Sequence, residues 1–308
     1  MFVLGKYIKI IKRGFVGVFV LGVLFMHFYA PRVITEIDNP ILGLFRKNIP
    51  DISEFEGEGG KTIWFCSFDE TELCAYVTYA KTDTVKGTII LLHGIRAYKE
   101  HFKTLSHQLA ERGFNAVALD LRAHGQSKGK HCTFGVKEKK DISELITYLI
   151  QQENLKDPIG VWGQSLGGAV GLQSMGYDKR IKFGIIESTF SDFRTITRDY
   201  FQYHTGLKID WLTDYLVYRS GKIADFNPDE ARPEDFCRLI EQPTLLVHGN
   251  KDRRIDIQYG KENFNALKSK EKEFLEVDNA THLSVWKTGG DEYFEKVYRF
   301  LESMEERN

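Results

Sequence analysis

The stretch "IGVWGQSLGGAVG", residues 159 to 171, decides how this chain is read. It opens on an apolar run that suits a strand buried on both faces. It then passes through Gly163, Gln164 and Ser165 and continues as small residues able to pack a helix close against a strand. Strand, sharp turn and helix form the context in which a serine hydroxyl is lifted clear of the backbone, beside a base and beside N–H groups that can receive a developing oxyanion. The five-residue pattern G-x-S-x-G carries little by itself: with glycine at 27 of 308 positions, chance supplies about 0.1 copies in a chain of this composition. A second copy, "GQSKG", stands at 125–129. There Ser127 comes eight residues after Leu119, through polar sequence, and precedes "KGKHCTFG", which cannot open a helix. Spacing from the strand therefore nominates Ser165. It assigns Ser127 to a loop in which Gly125 and Gly129 turn the chain and Asp120 and Arg122 tie it by hydrogen bonds. A structural glycine-rich turn or a phosphate cradle is the other use of a segment like 163–168, but it carries neither G-x-G-x-x-G nor G-x-x-x-x-G-K-[ST].

Outward from this segment the text alternates between strand-like and helix-like runs. "GTIILLHG" (87–94) and "NAVALDLR" (115–122) read as buried strands, each followed by a helical period, "HFKTLSHQLAERGF" and "KEKKDISELITYLIQQ". "IKFGIIEST", "PTLLVHGNKD" and "KEFLEVDNATH" continue the series, and "KTIWFCSF" with "ELCAYVTYA" reads as an antiparallel opening pair. The expectation is a mostly parallel central sheet with helices on both faces and ligands at the carboxyl ends of its strands. One interval breaks the series. About 50 residues between "IIESTF" and "PTLLVHG" are helical by period and rich in aromatics, and a connection that long carries either a lid or extra packing. The expected organisation is an N-terminal segment at 1–30, a linker at 31–60 with room for one short helix, and a domain at 61–308 with a helical cap insertion at about 191–242.

Lys6, Lys9, Lys12 and Arg13 precede "GFVGVFVLGVLFMHFYA" (14–30), an apolar run at the short end of what spans a bilayer. The flanking bases favour a cytoplasmic N-terminus, and "HFYAPR" lacks a small-x-small cleavage pattern. The reading is an uncleaved single-pass anchor with the catalytic domain on the non-cytoplasmic side, against a cleaved signal peptide or an intracellular enzyme with a membrane-facing helix. "NAT" (279–281) would place a glycan beside His282, which fits a protein that never meets glycosylation machinery, as at a bacterial inner membrane. Lys+Arg 42 against Asp+Glu 43 leaves no field of one sign and disfavours nucleic acid as a partner. Cys66, Cys74, Cys132 and Cys237 lack metal-ligand spacing; Cys66 and Cys74 could pair across a hairpin, but the preferred reading is buried free thiols.

In a fold of this kind the order along the chain is nucleophile, acid, histidine. His282 lies in "DNATHLSVW", after the last strand-like run and before the terminal helix. Asp252, just past "PTLLVHGNK", is the preferred acid, with Asp256 and Glu187 as rivals. His93 and His248, each before a glycine at a strand end, read as structural.

The segments "LLHGIRAYKEHF" (91–102), "DLRAHGQSKG" (120–129), "GQSLGG" (163–168), "HGNKDRRID" (248–256) and "THLSVW" (281–286) together resemble the α/β-hydrolase family, in the family's order. The second is similar to the D-x-R-G-H-G-x-S loop of its serine aminopeptidase-like and monoacylglycerol-lipase-like branch, with Ala123 where glycine is usual. The resemblance implies Ser165 as nucleophile, Asp252 as acid, His282 as base, and an oxyanion hole from the backbone N–H groups of Ile95 and Leu166. It implies no cofactor and no metal. The expected activity is that of a membrane-anchored serine hydrolase acting on carboxylic esters, with a small-molecule or lipid-like ester as substrate. The same fold also serves peptidases, thioesterases and non-catalytic binding proteins.

Overall fold

The computed structural model describes residues 2–37, 59–155 and 158–305. Most of the expected linker therefore lies outside the described residues. An N-terminal helix α1 (Phe2–Leu24) runs through one wider turn, Phe25–Tyr29, into a short helix α2 (Ala30–Thr35), so the helical run passes the expected boundary at residue 30. Within it, 24 residues from Lys12 to Thr35 are long and apolar enough to cross a membrane. Phe15, Val18, Phe19 and Leu21 are among its exposed apolar side chains.

Beyond the linker the chain builds one eight-stranded sheet in the order β1-β2-β4-β3-β5-β6-β7-β8. β1 (Gly60–Cys66) and β2 (Glu72–Thr78) pair antiparallel, and β2 pairs antiparallel with β4 (Phe114–Leu119). From β4 onward every pairing is parallel, through β3 (Gly87–Leu92), β5 (Ile159–Gln164), β6 (Ile181–Glu187), β7 (Thr244–Gly249) and β8 (Lys272–Val277). Parallel neighbours need crossovers, and helices supply them on both faces.

The period-2 alternation of the strands feeds two separate cores. Ile90 and Leu92 of β3 face a core shared with α4 (Glu138–Gln151), through Ile142, Leu145 and Leu149, and with α5 (Leu166–Tyr177), through Ala169 and Val170. Ile89 and Leu91 face the opposite core, closed by Leu105 and Leu109 of α3 (Lys103–Glu111) and by the terminal helix. Strands buried on both sides are why those segments read as continuous apolar runs.

Cys66 corrects the expectation of buried thiols. It sits on the outward face of an edge strand and is exposed, whereas Cys74, Cys132 and Cys237 are buried, and all four are free. Within the hairpin Cys66 lies opposite Glu72, and Cys74 lies opposite Trp64.

The aromatic interval folds as α6 (Phe193–Thr205), α7 (Asp210–Ala224) and a short α8 (Pro233–Cys237). The Asp192 carboxylate caps α6 by accepting from Thr195 N, and Gly206 closes it in the left-handed region. Arg198 forms a two-pronged pair with Asp214 that ties α6 to α7. Tyr259 of α9 (Ile257–Ala266) donates to Asp199 at 2.5 Å and ties α6 to the body.

Candidate active site

Ser165 stands between β5 and α5 with φ 54° and ψ −115°, a conformation that L-residues rarely adopt. Two glycines make this turn possible. A Cβ on Gly163 would lie 2.2 Å from Gly167 O, and one on Gly167 would lie 1.9 Å from Leu92 O, so helix and strand close to a distance that only glycine permits. The backbone of Ser165 is held from β6: its N–H donates to Glu187 O at 2.8 Å, and its carbonyl accepts from the Thr189 hydroxyl at 2.8 Å.

His282 and Asp252 arrive from two further loops at the same edge of the sheet. His282 Nε2 lies 3.0 Å from Ser165 Oγ, and Nδ1 lies 2.7 Å from Asp252 Oδ2. A carboxylate only accepts, so Nδ1 carries the proton, and Nε2 presents its lone pair to the serine hydroxyl. The other oxygen of Asp252 accepts from Arg254 N at 2.9 Å and Ile255 N at 3.0 Å, and its side chain is fully buried. Burial by itself would raise this carboxyl. The ring N–H groups of His248 and His282, together with the Ile255 amide, outweigh burial and hold it well below the usual carboxylate range. The arrangement therefore keeps a charged acceptor behind the imidazole.

Neither rival acid reaches His282. Asp256 caps α9 by accepting from Gln258 N at 2.8 Å. Glu187 points into a different cluster, where Trp162, Gln164, Trp286 and Tyr293 all donate to it. Burial pushes the Glu187 carboxyl above its ordinary range, and those donors offset only part of the effect. Trp286 follows His282 by four residues, at the start of α10 (Val285–Glu305), which kinks at Gly290. Glu187 thus holds the root of the loop that carries the histidine. Nothing local in the sequence marks this, because the donors come from two other segments, β5 and the terminal helix.

The turn after β3 lies against the serine: a Cβ on Gly94 would sit 3.5 Å from Ser165 Cβ. His93 fixes that turn, donating from Nδ1 to Gly94 O at 2.8 Å while Nε2 accepts from Leu121 N at 3.1 Å. Ile95 follows directly. Leu166 is the first residue of α5, so its N–H has no acceptor within the helix. Tyr200 of α6 is half-buried and packs against the core; burial raises its hydroxyl above the ordinary range, with Arg254, Asp252 and Arg96 as charged neighbours.

Ser127 bonds to none of these groups. Its hydroxyl donates to Asp120 O at 2.5 Å and accepts from Cys74 N at 2.9 Å, fastening the loop to β2. Asp120 in turn pairs with Lys99 at 2.7 Å in full burial, and Arg122 forks onto Asp141 and reaches Asp69. Among the described residues no group of three or more His, Cys, Asp or Glu side chains is placed to hold a metal ion.

Residues 83–194 match the family model described as serine aminopeptidase, S33, a span that includes Ser165 and ends before Asp252 and His282. Protein YqkD of Bacillus subtilis, itself described as uncharacterized, is 25% identical over 305 residues, covering 94% of each chain. The α/β hydrolase domain-containing protein WAV2 of Arabidopsis thaliana is 23% identical and covers 96% of this chain and 95% of its own. Among solved structures, an esterase of Pyrococcus furiosus superposes with a TM-score of 0.68 at 22% identity, covering 84% of this chain and 96% of that one. Sheet order, strand-end loops and these likenesses agree: the chain has the α/β-hydrolase fold, and over residues 83–194 it is similar to the serine aminopeptidase, S33, family of that fold.

Proposed function

We propose that the protein is a serine hydrolase that cleaves carboxylic esters through an acyl-enzyme, with Ser165 as nucleophile, His282 as base and Asp252 as the acid that orients it. The observation that carries this reading is the continuous chain of two hydrogen bonds, Asp252 to His282 to Ser165, across three separate loops. Ser165 Oγ attacks the ester carbonyl carbon while its proton passes to His282 Nε2. The tetrahedral oxyanion is received by the N–H groups of Ile95 and Leu166. Collapse expels the alkoxide, which takes the proton from His282, and water then repeats the sequence on the acyl-serine. Asp252 stays ionised throughout and stabilises the imidazolium. Each oxyanion donor contributes about 10²–10³ in turnover in comparable sites. No step calls for a cofactor.

The substrate proposed is a lipid-like ester and the setting a membrane, with the N-terminal helix as an uncleaved anchor and the domain on the non-cytoplasmic side. The apolar span and the aromatic cap support both parts. Peptidase or thioesterase activity would use the same groups, and a binding protein would have no use for an imidazole held between a carboxylate and a serine.

The test is reaction of the full-length chain with a fluorophosphonate, followed by mass spectrometry. An adduct on Ser165 that disappears in His282→Ala supports the reading. An adduct on Ser127, or none, overturns it. A series of esters of increasing acyl length then separates a lipid-like substrate, for which kcat/KM rises with chain length, from a short soluble one.

A further inference from the structure

The segment that follows the membrane-length helix does not leave the domain as a free tether. His27 Nδ1 lies 2.5 Å from the Tyr215 hydroxyl on α7. Farther along, Arg96 donates to Val33 O at 3.2 Å, Thr35 Oγ1 meets His131 Nδ1 at 3.1 Å, and Cys132 N donates to Thr35 O at 2.9 Å. The loop that receives Thr35 continues to Lys137, whose ammonium donates to Ala224 O, at the far end of α7. Residue 27 is therefore beside the middle of α7, and residue 35 lies toward its C-terminal end. The two run side by side in the same direction.

That direction has a consequence for the other end of α7. One turn back from Tyr215 lies Trp211, about 6 Å nearer the apolar helix, and farther still lies the α6–α7 tip with Leu207. Trp211 is 74% exposed, Leu207 55% and Tyr203, at the end of α6, 50%. Single exposed apolar residues need no explanation, but these three gather at one tip. By this geometry the tip is level with residues near Val23, inside a run whose side chains are exposed all round. The 17 residues from Gly14 to Ala30 extend about 25 Å, against a hydrocarbon core of about 30 Å, so the bilayer boundary falls close to His27 and Ala30. Tyrosine and tryptophan concentrate at that depth, and Lys208, on its flexible stem, can keep its charge in water there.

We propose that the α6–α7 tip beds into the bilayer that the N-terminal helix crosses, just below its headgroups, with Trp211, Leu207 and Tyr203 as the inserted side chains. This deepens the anchored-esterase reading and rests on it. It also names where the substrate enters. Tyr200, which packs against the core beneath the cap, is one helical turn from Tyr203 and His204 at the tip, so the tip is the side from which an acyl ester held in the bilayer would reach the domain.

The test uses the full-length chain in vesicles of phosphatidylethanolamine and phosphatidylglycerol, some carrying bromine on the upper acyl chain as a contact quencher of tryptophan. The chain has four tryptophans, Trp64, Trp162, Trp211 and Trp286. The expected result is that brominated lipid removes part of the emission, that this quenched part vanishes in Trp211→Phe, and that it persists in Trp64→Phe. Quenching that is the same in wild type and Trp211→Phe overturns the proposal while leaving the anchor intact, provided the protein floats with the vesicles. Failure to float overturns the anchor and the proposal together.

Discussion

Two loops of this molecule carry the same five-letter pattern and do opposite things. At 163–167 the serine has left-handed backbone dihedrals, its hydroxyl faces His282, and the flanking glycines let α5 touch β3. At 125–129 the serine hydroxyl is consumed by the backbone of its own loop and of β2, above a buried lattice of Lys99, Asp120, Arg122 and Asp141. The first loop keeps its serine hydroxyl available, and the second spends its serine hydroxyl on holding itself. What separates them is distance from the strand end: Ser165 comes one residue after β5, and Ser127 eight residues after β4.

The comparison breaks most visibly if the two serines are exchanged in importance. Ser165→Ala should lower kcat by about 10⁴-fold or more with unfolding free energy little changed. Steady-state ester hydrolysis and urea unfolding on the same preparation check both halves. Next in size, Lys99→Met leaves the Asp120 carboxylate buried without its cation, and should cost about 3–5 kcal/mol of stability while the remaining folded molecules still react with a fluorophosphonate. Unchanged urea midpoints would mean that the lattice under Ser127 is not what holds that loop.

Ser127→Ala should cost about 1–3 kcal/mol, because Cys74 N and Asp120 O both lose a partner, and should leave turnover per folded molecule unaltered. A fall in kcat comparable to that of Ser165→Ala would reverse the assignment. The smallest effect is on acid stability. Contact with Arg122, against the opposing effect of partial burial, lowers the Asp69 carboxyl to about 2. The unfolded chain then binds the proton more readily than the folded one, so this contribution is present above about pH 4 and is lost as the pH falls toward 2. The pair is partly exposed, and the effect should stay under about 1 kcal/mol. Asp69→Asn should flatten the stability-against-pH curve in that window alone, which a series of unfolding curves between pH 2 and pH 5 would reveal.

Much of the architecture was legible because buried parallel strands leave an unambiguous trace. Each of "GTIILL", "IGVWG" and "TLLVHG" is an apolar run closed by a glycine or a polar turn, and each is a strand in the sheet. The residues brought together at the strand ends, Ser165, Asp252 and His282, were legible for a related reason, since each directly follows such a run or precedes a helix. Glu187 was not. Its position at a strand end made it a rival acid, and only the side chains of Trp162, Trp286 and Tyr293, converging from elsewhere in the chain, show that it faces away from His282. The docking of residues 27–36 along α7 was equally silent. It depends on His27, Val33 and Thr35 meeting groups about 60 to 190 residues away, and no local period records a contact of that range.

The cap leaves the sheet after β6 and returns at β7, and these two strands are neighbours, with Glu187 beside Val247. Before departing, the chain has already fastened Ser165 through Glu187 O and Thr189 Oγ1, and on returning it is bonded at once by Gly184 N to Pro243 O. The insert is thus a plug between two adjacent strands, and the bonds that hold Ser165 lie upstream of it. Helices of other lengths or faces could be exchanged there at little loop-closure penalty without moving Ser165. The chemistry of such a molecule and its taste in substrates are therefore free to evolve on separate stretches of chain.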